Sequence, residues 1–295
     1  MSAIPHEVKI AMDTLFHKMA IINDESESYA SEYTTIHNWA TSVKLVSISA
    51  VYTQSRSVFE TDSLESLKED LVVTATYDNG TSEEITNYFL NGELAEGTST
   101  ITVTYNNKTA TFAVTVKAWT LTWDYTDGGM PATVAPNDWL VVNNTANATF
   151  ESGKGIKYND KNNNYNHRAK NYQYTEVGVA EATFNFLNAI NVHQVRVTLG
   201  TATNCIIALL GKDGVLINSS TANPIPNTVP SLDKDYTLRV ERNASSANVY
   251  LNRTLVYSGE LRSIAQDNNM MIGIGDGTTA VSTIYMKSCK FYHES

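Results

Sequence analysis

The spacing of apolar and polar positions changes twice along the chain and divides it into three segments. In residues 1–42 the apolar positions recur at alternating steps of four and three, which is the period of an amphipathic helix. From residue 43 the period falls to two, which is typical of β-strands with one buried face. From residue 118 several strand-like runs are apolar at consecutive positions, which predicts strands buried on both faces.

The first segment carries a narrow apolar stripe with heptad spacing, interrupted only at Ser26. The stripe comprises Val8, Met12, Leu15, Met19, Ile22, Tyr29, Tyr33 and Ile36. Charged residues lie beside it, so the segment is predicted to oligomerise as a coiled coil, with a homotrimer favoured, or to anchor the chain on a partner. The alternative is a helix, or a helical hairpin bent at the acidic residues 23–27, that packs on its own protein.

The second segment consists of short alternating runs separated by turn residues. The runs are 43–52, 71–77, 100–105 and 109–116. Asp78-Asn79-Gly80 and Asn106-Asn107 lie between runs, and such residues tolerate the positive φ of hairpin turns. The sequence therefore predicts a small β-sandwich.

Two stretches of this segment, LVVTATYDNGTSEEITNYFLNG and EGTSTITVTYNNKTATFAVTV, carry a more specific pattern. Their DNGT turn, their GTSTITVTY strand and their final TATFAVTV strand resemble the bacterial immunoglobulin-like (Big) domain family. The resemblance implies a spacer or adhesive module of the kind found on bacterial surface proteins and phage virions.

The third segment is predicted to be a larger sandwich of jelly-roll proportions. Its clearest strands are 121–125, 182–186, 193–199, 205–210 and 270–274. The runs 236–243, 247–252 and 254–257 read as a three-stranded meander, followed by IGIG and STIYMKSCKFY. This order resembles the concanavalin A-like and laminin G-like family, which implies carbohydrate binding or, in some branches, glycan hydrolysis.

Hydrolysis needs two carboxylates held about 5 Å apart in a retaining glycosidase. The acidic strand positions Glu176, Glu181 and Glu241 stand singly, and no Ser-His-Asp pattern or metal-spaced His/Cys cluster is present. We therefore predict that the chain is not an enzyme, with an inverting pair assembled from distant loops as the alternative.

One polar stretch, residues 158–174, combines amide side chains with aromatic rings, which is the mixture that recognises sugars. The predicted carbohydrate contacts are Tyr158, Asn162, Asn164, Tyr165, Asn166, His167, Arg168 and Tyr172. The alternative is an ordinary polar loop. No cofactor is predicted. Asp124, Asp127 and Asp276 lie near glycines and could bind Ca²⁺, but no consecutive pattern of calcium ligands supports such a site.

The composition of the chain excludes some classes of binding partner. A formal net charge of −10 argues against nucleic acid, which binds clustered Lys and Arg, and no apolar run reaches the length of a membrane span. The first residues lack a signal-peptide pattern, so export by the usual route is not expected. Cys205 and Cys289 both fall in predicted strands, where buried thiols are favoured over a bridge.

The expected organisation is mainly β, with a helical segment at 1–42, an immunoglobulin-like domain at 43–117 and a lectin-type sandwich at 118–295. This architecture predicts a bacteriophage virion protein, either a capsid-decorating head fibre or a tail-associated adhesin, that carries a glycan-binding domain. Other virion proteins are its expected partners besides glycans. The alternatives are a decoration protein without ligand, a bacterial surface adhesin and a glycan hydrolase.

Overall fold

The computed structural model describes residues 43–124, 126, 140–142, 148–160, 167–171, 177–191, 195–201, 204–218, 223–262, 269–274 and 282–294. The predicted helix and all eight of its stripe residues lie outside this part of the chain, so they stay predictions. The described residues form two units. The first comprises residues 43–56, 63–94 and 98–114, and the second comprises 57–62, 95–97 and the described residues from 115 onward.

The chain is mainly β. In its first part the strands are β1 Leu45–Tyr52, β2 Val58–Phe59, β3 Leu71–Tyr77, β4 Ser82–Glu84, β5 Phe89–Asn91, β6 Gly97–Tyr105 and β7 Lys108–Lys117, and a 3₁₀ helix spans Leu64–Asp70. These strands confirm the runs predicted from alternation.

The later strands are β8 Leu121–Asp124, β9 Leu140–Val142, β10 Ala148–Glu151, β11 Gly155–Asp160, β12 His167–Asn171, β13 Gly178–Phe186, β14 Val195–Thr201, β15 Asn204–Gly211, β16 Gly214–Ile217, β17 Asp235–Arg242, β18 Ser246–Leu251, β19 Thr254–Glu260, β20 Asn269–Ile274 and β21 Ser282–His293. The predicted meander corresponds to β17, β18 and β19, each antiparallel to the next.

The first unit contains two antiparallel sheets. One has the order β1-β3-β4, and in the other β7 pairs β6 and β6 pairs β5. Alternate residues of the strands are buried, among them Val73, Ala75, Ile101 and Val103. The hairpin between β6 and β7 turns at Asn106 and Asn107, both at positive φ, as a two-residue turn of this kind requires.

The second unit is a sandwich of two sheets. Among the described residues its larger sheet has the path β10-β11-β21-β13-β17-β18-β19, with β8 beside β21, and its smaller sheet has the order β16-β15-β14-β20-β12-β9. One core cluster joins them, with Phe184 and Leu238 from the larger sheet and Val197, Ile206 and Ile272 from the smaller. The core therefore lies between the sheets, and each sheet has an outer face.

Two features of the C-terminal segment match the sequence prediction. Strand β15 is buried on both faces, because Ile206, Ala208 and Leu210 enter the main core while Cys205 and Ile207 belong to a separate apolar cluster on the outer face. The two cysteines are fully buried thiols and form no disulfide, which confirms the prediction.

Candidate binding face of the second unit

The stretch predicted as one polar loop, 158–174, is divided between two strands of different sheets. Strand β11 of the larger sheet runs on to Asp160, and His167–Asn171 form β12 of the smaller sheet. The predicted sugar contacts Asn162, Asn164, Tyr165, Asn166 and Tyr172 lie outside the described residues and stay predictions. His167 and Arg168 are therefore strand residues.

Tyr158 is a core residue, which corrects its prediction as a sugar contact. Its side chain is 0% exposed and belongs to the main core cluster. In the sheet it pairs with Ala148 and Ile284, and burial raises the pKa of its hydroxyl group. A ring packed between the sheets has no face available for a sugar on the protein surface.

The smaller sheet places three distant residues in one row. Gly273 on β20 is the register partner of Arg168 on β12 and of Arg196 on β14. Ile272 and Val195, each adjacent in sequence to a member of this row, lie in the core. Because strand residues alternate between faces, Gly273 and Arg196 occupy outer-face positions of the smaller sheet, where Gly273 is buried and Arg196 is half-buried. We call Arg168, Gly273 and Arg196 the Arg-Gly-Arg row.

The next row on the same face contains Lys170, Met271 and Thr198. Arg196 is half-buried, and its Nε donates a hydrogen bond of 2.9 Å to Oγ1 of Thr198. Thr198 itself is only 1% exposed. This hydrogen bond joins the two rows on β14 and limits the directions that the Arg196 guanidinium can take.

The strands of the smaller sheet differ in charge from the rest of the chain. As described, β9, β12, β14, β15, β16 and β20 contain no Asp or Glu, whereas they carry Arg168, Lys170 and Arg196. The whole chain has 31 acidic and 21 basic residues. The described strands of the smaller sheet are thus basic in sequence within an acidic protein.

Part of this outer face is apolar and buried. Cys205, Ile207, Leu209 and Leu216 form a cluster of their own on β15 and β16. The backbone of Cys205 exchanges two hydrogen bonds of 3.0 Å with that of Arg262. Arg196 and Thr198 lie one strand further along, on β14, opposite Leu209 and Ile207.

The outer face of the larger sheet carries a buried charge cluster centred on Arg239. Its Nε lies 2.9 Å from Oε2 of Glu181, its Nη1 3.7 Å from Oε1 of Glu241 and its Nη2 3.6 Å from Oδ1 of Asp62. Lys290 lies 3.3 Å from the second carboxylate oxygen of Glu181. Desolvation alone would lower the pKa of Arg239, but the three carboxylates outweigh it and raise that pKa.

Aromatic rings cover this charge cluster. Phe59 stacks on Trp119 with ring centroids 3.7 Å apart, and the guanidinium carbon of Arg239 lies 5.0 Å and 5.3 Å from those two centroids. Nε1 of Trp119 donates to Oγ1 of Thr61 at 2.9 Å. Residues 57–62 are therefore an integral part of the second unit, which the sequence prediction had begun at residue 118.

The charge cluster contains two of the three strand carboxylates that the sequence suggests as catalytic candidates, Glu181 and Glu241. Glu181 and Glu241 both pair with Arg239, and Oε2 of Glu241 also accepts a hydrogen bond from the backbone N–H of Ser57 at 3.1 Å. Both carboxylates are therefore members of a buried ion-pair network around one arginine. Glu176 lies outside the described residues.

A second polar group on the larger sheet surrounds Tyr285. Its hydroxyl donates to Oε2 of Glu151, and Lys157 lies 3.2 Å from the other carboxylate oxygen. The hydrogen bond from Tyr285 and the bond from Lys157 lower the pKa of Glu151 to about 2, and burial together with Glu151 raises that of Tyr285 to about 12. Tyr285 is buried, so its ring is not an open platform for a sugar.

In the described part of the chain, no group of three or more His, Cys, Asp or Glu side chains is placed to hold a metal ion. Oδ1 of Asp124 accepts hydrogen bonds from the backbone and the hydroxyl of Thr126, which lower its pKa. Asp127 and Asp276 lie outside the described residues. No described helix is long and apolar enough to cross a membrane.

Sequence reasoning missed the Arg-Gly-Arg row and the Arg239 cluster. The polar neighbours of Arg168 single it out in the sequence, whereas Arg196 and Gly273 have no such neighbours. No local signal identifies them, because their proximity depends on the pairing of β12, β20 and β14. In the Arg239 cluster, the alternation of Arg239 and Glu241 along β17 was a usable signal, since both fall on the outer face.

Comparison with solved structures finds remote similarities. The chain is similar to the carbohydrate-binding module CBM66 from Bacillus subtilis, with 13% identity and a TM-score of 0.37 over 48% of this chain and 89% of that one. It is similar to the alginate lyase Aly36B, with 10% identity and a TM-score of 0.41 over 59% and 96%. A Bacillus licheniformis β-glucanase gives 13% identity and a TM-score of 0.36 over 50% and 83%. Values this low assign neither a ligand nor a reaction to this chain.

No curated protein sequence matches the chain. One protein-family model matches part of the chain. Residues 62–116 match the model described as bacterial Ig-like domain (group 3), which supports the resemblance stated from the turn and strand motifs.

Proposed function

We propose that the chain is a non-enzymatic display protein whose C-terminal sandwich binds glycans. The observation that supports the proposal is the register of the smaller sheet, which places the backbone positions of Arg168 and Lys170 on β12 in the same two rows as Arg196 and Thr198 on β14. Guanidinium and ammonium groups donate hydrogen bonds to the hydroxyl and acidic oxygens of a sugar chain. The opposite face of the same strands is core, so the sheet fixes the backbone positions of these groups.

The bacterial Ig-like match gives the first unit a role as a spacer or adhesive module in this proposal. We place the protein on a bacteriophage particle, as a head fibre or a tail-associated adhesin. In this arrangement residues 1–42 dock on other virion proteins or trimerise, and the sandwich meets the host surface. The support is the combination of an Ig-like domain with a larger β-sandwich.

The absence of an enzymatic role is supported by the state of two strand carboxylates. Glu181 and Glu241 are held by Arg239 under the rings of Phe59 and Trp119. A retaining glycosidase needs two carboxylates about 5 Å apart that face the sugar, whereas these two carboxylates face a shared arginine.

The test is binding of the full chain to a panel of bacterial cell-wall polysaccharides and mucin-type glycans, with product release measured in the same samples. The full chain is required, because a fragment that starts at residue 118 lacks residues 57–62 of the second unit. Saturable binding without cleavage supports the proposal. Cleavage of any glycan overturns the non-enzymatic role. No binding by the folded chain overturns glycan recognition and favours a decoration protein without ligand.

A further inference from the structure

We propose that Phe89, on the outer face of the first unit, is a stacking platform for a neutral sugar ring, with Asn91, Thr102 and Thr104 as its hydrogen-bonding border. We call these four residues the Phe89 platform. The inference goes beyond the proposed function, which assigns no site to the first unit, and it does not depend on glycan binding by the C-terminal sandwich. It makes the first unit a second and weaker contact with polysaccharide.

Phe89 is unusually exposed for an aromatic residue. It is 76% exposed, the highest value among the large apolar residues of the described part of the chain, whereas its neighbour Tyr88 is 5% exposed. Apolar side chains are normally stabilised by burial, and an aromatic ring left in water forgoes that contribution. The ring of Phe89 therefore adds little to the core of the first unit and is accessible to a ligand.

The register of β5 and β6 gives the ring polar neighbours. Phe89 pairs with Thr104, and Asn91 pairs with Thr102. Asn91 is exposed and the two threonines are half-buried, whereas Val103 between them is fully buried in the core. Because strand residues alternate between faces, all four residues of the platform share the outer face of this sheet. Directly opposite residues have Cβ atoms about 5 Å apart, so the hydroxyl of Thr104 lies beside the ring.

Strand β7 extends this polar surface. The two-residue turn between β6 and β7 sets Thr104 opposite Thr109 and Thr102 opposite Thr111. Both threonines of β7 are exposed. The two rows that contain the platform therefore carry one ring, one amide and four hydroxyl groups, and they carry no charge.

This combination is suited to a neutral sugar. The apolar C–H face of a pyranose can cover an aromatic ring, while its hydroxyl groups exchange hydrogen bonds with threonine and asparagine side chains. An apolar protein surface on the same face would bury the threonine hydroxyls without partners, which is unfavourable. The absence of charge in both rows predicts binding that changes little with salt. A single ring gives a weak site, so a high density of polymer is needed to detect it.

The test is native electrophoresis of the full chain in gels that contain a β-glucan, a mannan or a galactan, compared with gels without polymer. Bound protein is retarded, and the dependence of retardation on polymer concentration gives the affinity. We expect retardation by at least one polymer and little change with added salt. Failure of all three polymers to retard the folded chain overturns the proposal.

Four variants assign the retardation to the platform. Phe89→Ala should weaken the affinity about tenfold or more, and Phe89→Tyr, which keeps a ring, should retain it. Thr102→Val keeps the shape of the side chain without its hydroxyl and should weaken binding about threefold to tenfold. The matched control is Leu255→Ala, which removes another exposed apolar side chain, 51% exposed, from β19 of the second unit.

A further variant separates this proposal from the proposed function. Arg168→Gln with Arg196→Gln changes only the smaller sheet of the sandwich. Retardation that persists in this double variant and is lost in Phe89→Ala supports the platform and contradicts binding by the sandwich in these gels. The reverse pattern supports the sandwich and overturns the platform. Partial losses in both variants support two independent sites.

Light scattering of Phe89→Ala tests a competing role for the ring. An unchanged particle mass together with lost retardation supports sugar stacking. A lower mass with unchanged retardation overturns the proposal, because Phe89 is then a contact between chains.

Discussion

Nε of Arg239 lies 2.9 Å from Oε2 of Glu181, and both side chains are buried on the outer face of the larger sheet. The arginine is the shared partner of Glu181, Glu241 and Asp62. Replacing it by methionine keeps much of the volume and removes this cation from all three carboxylates, of which Glu181 keeps Lys290. We expect Arg239→Met to lower the free energy of unfolding by about 3–5 kcal/mol, measured by urea denaturation.

The control for this prediction is an ion pair on the same sheet with more solvent exposure. Lys287 lies 2.6 Å from Asp235, and their side chains are 26% and 52% exposed. Lys287→Met should cost about 1 kcal/mol or less, since solvent screens such a pair. Equal effects of the two variants would show that the Arg239 cluster does not stabilise the second unit.

Tyr158 should behave as a core residue. Truncation in Tyr158→Ala removes a ring from between the sheets and should lower the free energy of unfolding by about 3–5 kcal/mol. Tyr158→Phe keeps the ring, so a folded variant should bind glycans with the affinity of the parent chain. A stable Tyr158→Phe protein with impaired glycan binding would restore Tyr158 as a ligand contact.

Glu151 gives the second unit a component of acid sensitivity. The hydrogen bonds from Tyr285 and Lys157 lower its pKa from the ordinary value of 4.5 to about 2 in the folded chain. A lowered pKa contributes stability that is present above about pH 4.5 and lost as the pH falls toward 2. The stability difference between the parent and Glu151→Gln should therefore shrink between pH 6 and pH 2 in chemical denaturation. A constant difference over that range would contradict the lowered pKa.

The heptad stripe of residues 1–42 predicts association of the whole chain. Light scattering should give about three times the chain mass of 32.5 kDa, and deletion of residues 1–40 should leave a folded monomer. A monomeric full chain would contradict the trimer and leave docking on a partner as the role of the segment.

The sequence predicted the β-structure well, because alternation and turn residues act locally. Strands β17 to β19 and the Asn106-Asn107 turn follow from patterns a few residues long. The candidate site was predicted less well. Tyr158 was grouped with the Asn-rich residues after it, although the spacing from buried Ile156 already favoured the core face of a strand.

The remaining features depend on contacts between distant residues. Asp62 and Arg239 are 177 positions apart, and the Arg-Gly-Arg row joins strands that are remote in the chain. Such pairs are fixed by strand order and register, and a shift of one residue would move Gly273 to the core face. Composition alone could indicate an acidic protein but not a basic face within it.

The central claim is that glycans bind on the outer face of the smaller sheet, and a comparison of two double variants tests it most directly. Arg168→Gln with Arg196→Gln removes two charges from that face, whereas Lys157→Gln with Lys287→Gln removes two from the outer face of the larger sheet. In titrations of the full chain with its best glycan ligand, we predict that binding is lost in the first variant and retained in the second. Retention in the first variant, or loss in the second alone, would contradict the claim.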